Sequence, residues 1–166
     1  DILQLRFPAG NGIPNNPRHP AVLARNALGG TRDDGAVRAL MEANGWSGTW
    51  TWRVFDYDHY HHDAFETLAV ASGGATLQLG GPQGEHVDVK AGDVVLLPPG
   101  FGHRQIAMRD GFRICGAYPP GQESPTVLRA EQGYAQDTLR RIAAVEPPTA
   151  DPVWGGHGPL LKALLE

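Results

Sequence analysis

From Ser47 to Pro119 the chain breaks into short runs rich in Val, Thr, Leu, Ile and aromatic residues, each bounded by glycine or proline. No long helical period fits between such punctuation marks, so this region can only build strands and turns. The runs are SGTWTWRVFDY (47–57), FETLAVASG (65–73), ATLQLGG (75–81), two short strands inside EHVDVKAGDVVLLPPG, RQIAM (104–108) and FRICGAY (112–118). Turns are expected at Gly73–Gly74, Lys90–Gly92 and Asp110–Gly111. About eight strands at this spacing argue for an all-β sandwich or barrel. With 166 residues the chain suits one domain, with a barrel core at about 47–119.

The flanks read differently. Residues 8–20, PAGNGIPNNPRHP, form a proline-rich arm expected to run extended over the surface or over a partner. TRDDGAVRALMEANGW predicts a helix at 34–44, capped by Asp33 or Asp34, with Val37, Leu40 and Met41 on one face and Gly45 at its end. This arm and helix occupy 1–46. The tail, 120–166, places Leu139, Ile142 and Val145 on one helical face and ends in LLKALLE, a terminal helical turn. It is too poor in apolar residues for a core of its own and is expected to pack back on the barrel.

Charge and cysteine narrow the function classes. A formal net charge of −4 with no Lys/Arg run argues against nucleic acid. The single cysteine, Cys115, permits no internal disulfide and reads as a small strand residue in a reducing compartment. The stretch DILQLRFPAG lacks the basic and apolar regions of a secretory signal, and no apolar run is long enough for a membrane span. The expectation is a cytoplasmic protein.

Chemistry concentrates in DYDHYHHDAFETLAVASGG, Asp56 to Gly74. On a strand, His59 and His61 project to one side, about 7 Å apart before twist, while His62 faces the other. Two such imidazoles can share a metal, and Glu66 on the next strand can add a carboxylate. A solvated histidine-rich loop would show the same residues. The fourth donor has to come from elsewhere, and His103, fixed behind the Pro98–Pro99–Gly100 turn, is the candidate.

These two segments resemble the paired motifs of the cupin superfamily. The first, G-x5-H-x-H-x3,4-E-x6-G, is met by His59, His61, Glu66 and Gly73. The second, G-x5-P-x-G-x2-H-x3-N, is met by Gly92, Pro98, Gly100 and His103. Arg53 stands where the first motif has glycine and Ala107 where the second has asparagine. The wider frame is similar to small bacterial single-domain cupins of undefined function. The resemblance implies a double-stranded β-helix, or jelly-roll barrel, with a few peripheral helices. It also implies one divalent transition metal ion held by His59, His61, Glu66 and His103. A set of three imidazoles and one carboxylate suits Fe, Mn, Ni, Co or Zn and disfavours calcium.

Strand parity adds further expectations. Gln105 shares the face of His103 and Tyr118 can reach the barrel mouth, so these two are the candidate polar groups for catalysis. Arg53 can meet an anionic substrate or pair with an Asp on the outer sheet. Leu68, Val70, Leu77 and Leu79 can wall the pocket. Trp50 and Trp52 should share a face directed away from the metal, and large aromatics there want cover. With the resemblance, that cover implies a homodimer. The function expected is a metal-dependent enzyme of oxygenase, isomerase or lyase type acting on a small polar metabolite. A non-catalytic binding module for a small molecule, and a structural metal site in a partner-binding protein, are the alternatives.

Overall fold

The computed structural model describes residues 1–166. In chain order its elements are β1 (Ile2–Leu5), β2 (Ala21–Ala24), α1 (Asp34–Ala43), β3 (Ser47–Trp52), β4 (His59–Tyr60), β5 (Glu66–Leu79), β6 (Glu85–Lys90), β7 (Val94–Leu97), β8 (His103–Tyr118), β9 (Leu128–Arg129), α2 (Gln136–Ala144) and α3 (Pro159–Leu165). A 3-10 turn spans Ala130–Gln132. No helix is long and apolar enough to cross a membrane.

All pairings are antiparallel, in the order β1-β2-β7-β5-β8-β4-β9, with β3 on β8 and β6 on β5. Two long bent strands organise this sheet. The first half of β5 pairs with β7 and with the last residues of β8; its second half pairs with β6 and with the first residues of β8. The sheet therefore curls into two layers that share β5 and β8, the double-stranded β-helix implied by the motifs.

Two of the expected turns are not reversals. Gly73–Gly74 lies inside β5 and Asp110–Gly111 inside β8, where the ladder shifts register between Val70 and Gly74. Gly73 has φ +67°, and a Cβ there would meet the backbone of Arg109, Asp110 and Phe112 at 2.6–2.7 Å. The glycine pair thus serves a bulge that bends the strand around the barrel, which has the same composition as a hairpin turn. The run 47–57 also stops early: β3 ends at Trp52, and an irregular segment leads to β4.

The first layer is buried on both faces. Ala21, Leu23, Leu68, Val70, Val95, Leu97 and Ile114 face the barrel interior with Leu77, Leu79 and Phe101 of the opposite side. Their strand neighbours Val22, Ala24, Ala69, Ala71, Val94, Leu96, Cys115 and Ala117 pack beneath Val37 and Met41 of α1 and Leu160, Ala163 and Leu164 of α3. This accounts for the unbroken apolar runs AVLA and VVLL, since a strand covered on both sides shows no alternation. α1 begins at the Asp33 cap, whose carboxylate accepts from Ala36 N. The tail packs back on the barrel through α3, which touches β1 and β2.

The arm at 8–20 lies against its own chain. Ile13 and Asn15 are fully buried. The Asn15 amide donates to Pro8 O at 2.9 Å and Gly80 O at 3.0 Å and accepts from Gly102 N at 3.0 Å, tying the arm to the end of β5 and to the turn after β7. A side-chain amide meets these groups where proline has left the backbone short of donors.

Asp93, buried completely, closes the β6–β7 turn by accepting from Asn26 N at 2.9 Å, Lys90 N at 3.0 Å and Arg25 Nη1 at 2.9 Å. Replacing it by asparagine keeps the shape but turns a donor toward donors. Asp93→Asn is expected to lower stability by about 1–2 kcal/mol, read as a shifted urea midpoint with unchanged slope.

Candidate metal centre

His59 opens β4 and sits directly opposite His103, which opens β8. Their ring centroids are 4.0 Å apart. His61 follows β4, and Glu66 opens β5 on the same side as Leu68 of the interior core. All four side chains are buried, with residue exposures of 3–7%. The ligand atoms of His59, His61 and His103 all lie within 4.8 Å of one another. Glu66 Oε1 is 3.3 Å from His103 Nε2 and 3.5 Å from His61 Nε2. The structure thus brings together the four residues that the motifs single out.

The far nitrogen of each ring shows which way the near one points. His59 Nδ1 meets Tyr57 O, His61 Nδ1 meets Thr126 O and His103 Nδ1 meets Phe101 O, each at 3.0 Å. A carbonyl only accepts, so Nδ1 carries the proton in every ring and Nε2 presents a lone pair to the cavity. His103 Nε2 and Glu66 Oε1 have no hydrogen-bond partner despite complete burial. Such orphaned acceptors are rare in a folded chain. A metal ion with bonds of about 2.0–2.2 Å would hold neighbouring donors about 3 Å apart, close to the distances seen. The residues present therefore fit a divalent ion.

Electrostatics agree. Burial, with the neighbouring His103, lowers the His59 pKa to about 2, so that ring is neutral as a ligand must be. For Glu66, burial alone raises the pKa, but His61 and His103 outweigh it and hold the carboxyl well below the usual range. Burial alone would lower His61, and the Glu66 carboxylate outweighs that and raises it. A metal bound at His61 Nε2 takes the place of any proton there.

Glu66 is held from behind. Its Oε2 accepts from the Tyr118 hydroxyl at 2.9 Å, and that hydroxyl accepts from Trp50 Nε1 at 2.8 Å. Burial first, and then the Glu66 carboxylate, push the Tyr118 pKa far above its ordinary value. This phenol keeps its proton and positions Glu66.

The four residues lie at a cavity of about 330 Å³ whose other lining residues are Trp50, Trp52, Arg53, Val54, Phe55, Leu68, Tyr118, Pro125 and Val127. The cavity departs from simple strand parity at several residues. Trp50 turns toward the metal side, because β3 ends at Trp52 and an irregular segment, 53–58, separates it from His59 on β4. Parity cannot be counted through such a break. Trp52, 53% exposed, lines the same cavity, so both tryptophans share a face as parity expects, but that face looks toward the metal side. Val70, Leu77 and Leu79 belong to the interior core but not to the cavity lining. Gln105 is buried yet outside the lining, its Oε1 accepting from Val54 N at 3.1 Å. Arg53 stands on the lip, its guanidinium 4.9 Å from the Trp52 ring, with no acidic partner. His62 faces Asp63 at 3.7 Å and is no part of the cluster.

The tail's contribution was not readable from sequence. β9 pairs with β4, which carries Pro125 and Val127 to the cavity and Thr126 to His61. Asp63 anchors that segment by accepting from Thr126 N at 3.0 Å and Thr126 Oγ1 at 2.8 Å. The Tyr57 and Phe101 carbonyls, by contrast, follow one local rule: each lies two residues before a histidine that opens a strand.

Comparison with known proteins agrees with this architecture. The model of the cupin domain family matches residues 53–111. YjlB, an uncharacterised protein of Bacillus subtilis, is 33% identical over 156 residues, spanning 94% of this chain and 92% of that one. Solved structures that are similar include a conserved protein with a double-stranded beta-helix domain from Klebsiella pneumoniae (25% identity, 49% of this chain and 73% of that one, TM-score 0.38). Another is the WlaRB TDP-quinovose 3,4-ketoisomerase of Campylobacter jejuni (13% identity, 84% of this chain and 96% of that one, TM-score 0.44).

Proposed function

The chain belongs to the cupin family, and we propose that it is a divalent-metal-dependent enzyme acting on a small polar metabolite, of oxygenase, isomerase or lyase type. One observation carries this reading. Three imidazole Nε2 atoms, each fixed by its Nδ1 bond, and an unpartnered carboxylate oxygen converge in a cavity with room for a small molecule. A structural metal site would be closed and dry.

His59, His61, His103 and Glu66 would hold the ion, which as a Lewis acid polarises a carbonyl or hydroxyl oxygen of the substrate. The protein's own groups do the rest. Tyr118 donates to Glu66 Oε2 and fixes the oxygen left for the metal. Trp50, Val54, Phe55 and Leu68 exclude water from one side of the site and so strengthen its electrostatics.

Metal analysis of protein purified without nickel resin is expected to give about one transition-metal ion per chain. Failure to retain any of Fe, Mn, Ni, Co or Zn, including after reconstitution, would overturn the reading. Turnover on a metabolite panel, with and without oxygen, then separates an enzyme from a binding module.

A further inference from the structure

We infer that the ligand of this cavity is a small amphipathic organic anion, with metal-binding oxygens at one end, an apolar body, and a carboxylate at the other end captured by Arg53. This rests on the metal reading above and adds the class of molecule bound.

The charge pattern points to it. Arg53 is the one cationic side chain lining the cavity, and Glu66 the one carboxylate. Glu66 Oε2 is taken by Tyr118, and Oε1 faces His61 and His103 at the metal site. Arg53 is committed to nothing. Seven of the twelve arginines have a carboxylate within 4.0 Å; Arg53, like Arg6, Arg18, Arg32 and Arg141, has none, and of these five it alone lines the cavity. It is nevertheless held in place, since the guanidinium lies over the Trp52 ring at 4.9 Å. That stack leaves the planar fork free to meet a carboxylate by two parallel hydrogen bonds. A lysine would offer only a point charge.

The walls set the middle of the molecule. The lining also includes Trp50, Val54, Phe55, Leu68 and Val127, which offer apolar and aromatic contact but no free side-chain hydrogen-bonding group for a row of hydroxyls, the Trp50 Nε1 being taken by Tyr118. A volume of about 330 Å³ is at the small end of ligand pockets, enough for one ring or a short chain. With a divalent ion and one carboxylate the floor carries a net charge of about +1, and Arg53 adds a second positive charge at the lip. A ligand ionised at both ends neutralises both.

The test uses wild-type and Arg53→Gln protein loaded with Co(II), whose visible spectrum reports ligands entering the metal's coordination shell. The probes are 3,4-dihydroxybenzoate, 3,4-dihydroxyphenylacetate and 3-(3,4-dihydroxyphenyl)propionate, which extend a carboxylate by successive carbons, and neutral 4-methylcatechol. At least one acid is expected to bind wild-type protein about tenfold or more tighter than 4-methylcatechol. Arg53→Gln should erase that preference while leaving Co(II) stoichiometry, the circular dichroism spectrum and 4-methylcatechol affinity unchanged. Acids no tighter than the neutral probe, or a preference that survives Arg53→Gln, would overturn the anion assignment. Wild-type protein that takes up no Co(II) at all would overturn the metal reading itself, and that outcome is visible before any probe is added.

Discussion

Replacing His103 by alanine is expected to lower metal affinity by at least about a hundredfold while the barrel stays folded. Loss of a group that merely orients a ligand costs about 10–100-fold, and His103 is itself a donor. Its Nε2 lies 3.3 Å from Glu66 Oε1, and its ring is 4.0 Å from that of His59. No other histidine can replace it, because His62 is turned to Asp63. Folding should survive for a separate reason. Neither core cluster contains any of the four donors, and Glu66 retains Tyr118 and His61 when His103 is gone. The expected loss of stability is about 1 kcal/mol, that of the hydrogen bond from His103 Nδ1 to Phe101 O. Equilibrium dialysis with Zn(II) or Co(II), with circular dichroism on the same samples, measures both quantities. His62→Ala serves as the control and should bind metal as wild type does. Full metal retention in His103→Ala would remove His103 from the site.

His59, His61, Glu66 and His103 were legible in the sequence because their spacing is local to each motif. Turns on either side fix where each motif begins. Gly100, at φ +85°, has the Asn15 carbonyl oxygen 2.6 Å from where a Cβ would sit, so the turn before His103 depends on that glycine. Other features were not legible. Gly73–Gly74 and Asp110–Gly111 carry the composition of reversals, but the pairing of β5 with β8 along their whole lengths makes them bends, and that pairing is non-local. Strand parity puts Trp50 on the wrong face because side-chain alternation is lost between Trp52 and His59, where an irregular segment joins β3 to β4. Pro125, Thr126 and Val127 reach the cavity only because β9 returns to β4. Nothing within residues 120–129 signals such a return.

The corrected position of Trp50 leads to the second large effect, at a residue with no polar group. Gly116 lies opposite both Trp50 and Leu68 in the sheet. A Cβ added at Gly116 would fall 2.1–2.4 Å from Cε2, Cζ2 and Nε1 of the Trp50 indole. The ring therefore lies flat on bare backbone, and Gly116→Ala must push it away. The obstacle is a rigid bicycle inside a packed lining, so the substitution should cost about 3 kcal/mol, the upper end for overpacking. For a chain of this size that lowers Tm by roughly 6–12 °C. The displacement also reaches the metal centre. Trp50 Nε1 donates to the Tyr118 hydroxyl, which in turn donates to Glu66 Oε2, so moving the indole frees the phenol and with it the carboxylate. Metal affinity should fall about tenfold, as for other groups that orient a ligand. Tyr118→Phe separates the two effects: it removes the hydroxyl but leaves the ring, so it should show the weakened metal binding with little of the thermal shift. Calorimetry, tryptophan emission and metal titration on the two variants measure each quantity. If Gly116→Ala keeps the wild-type Tm and emission maximum, the indole does not lie where the structure puts it, and the link from Trp50 through Tyr118 to Glu66 is broken.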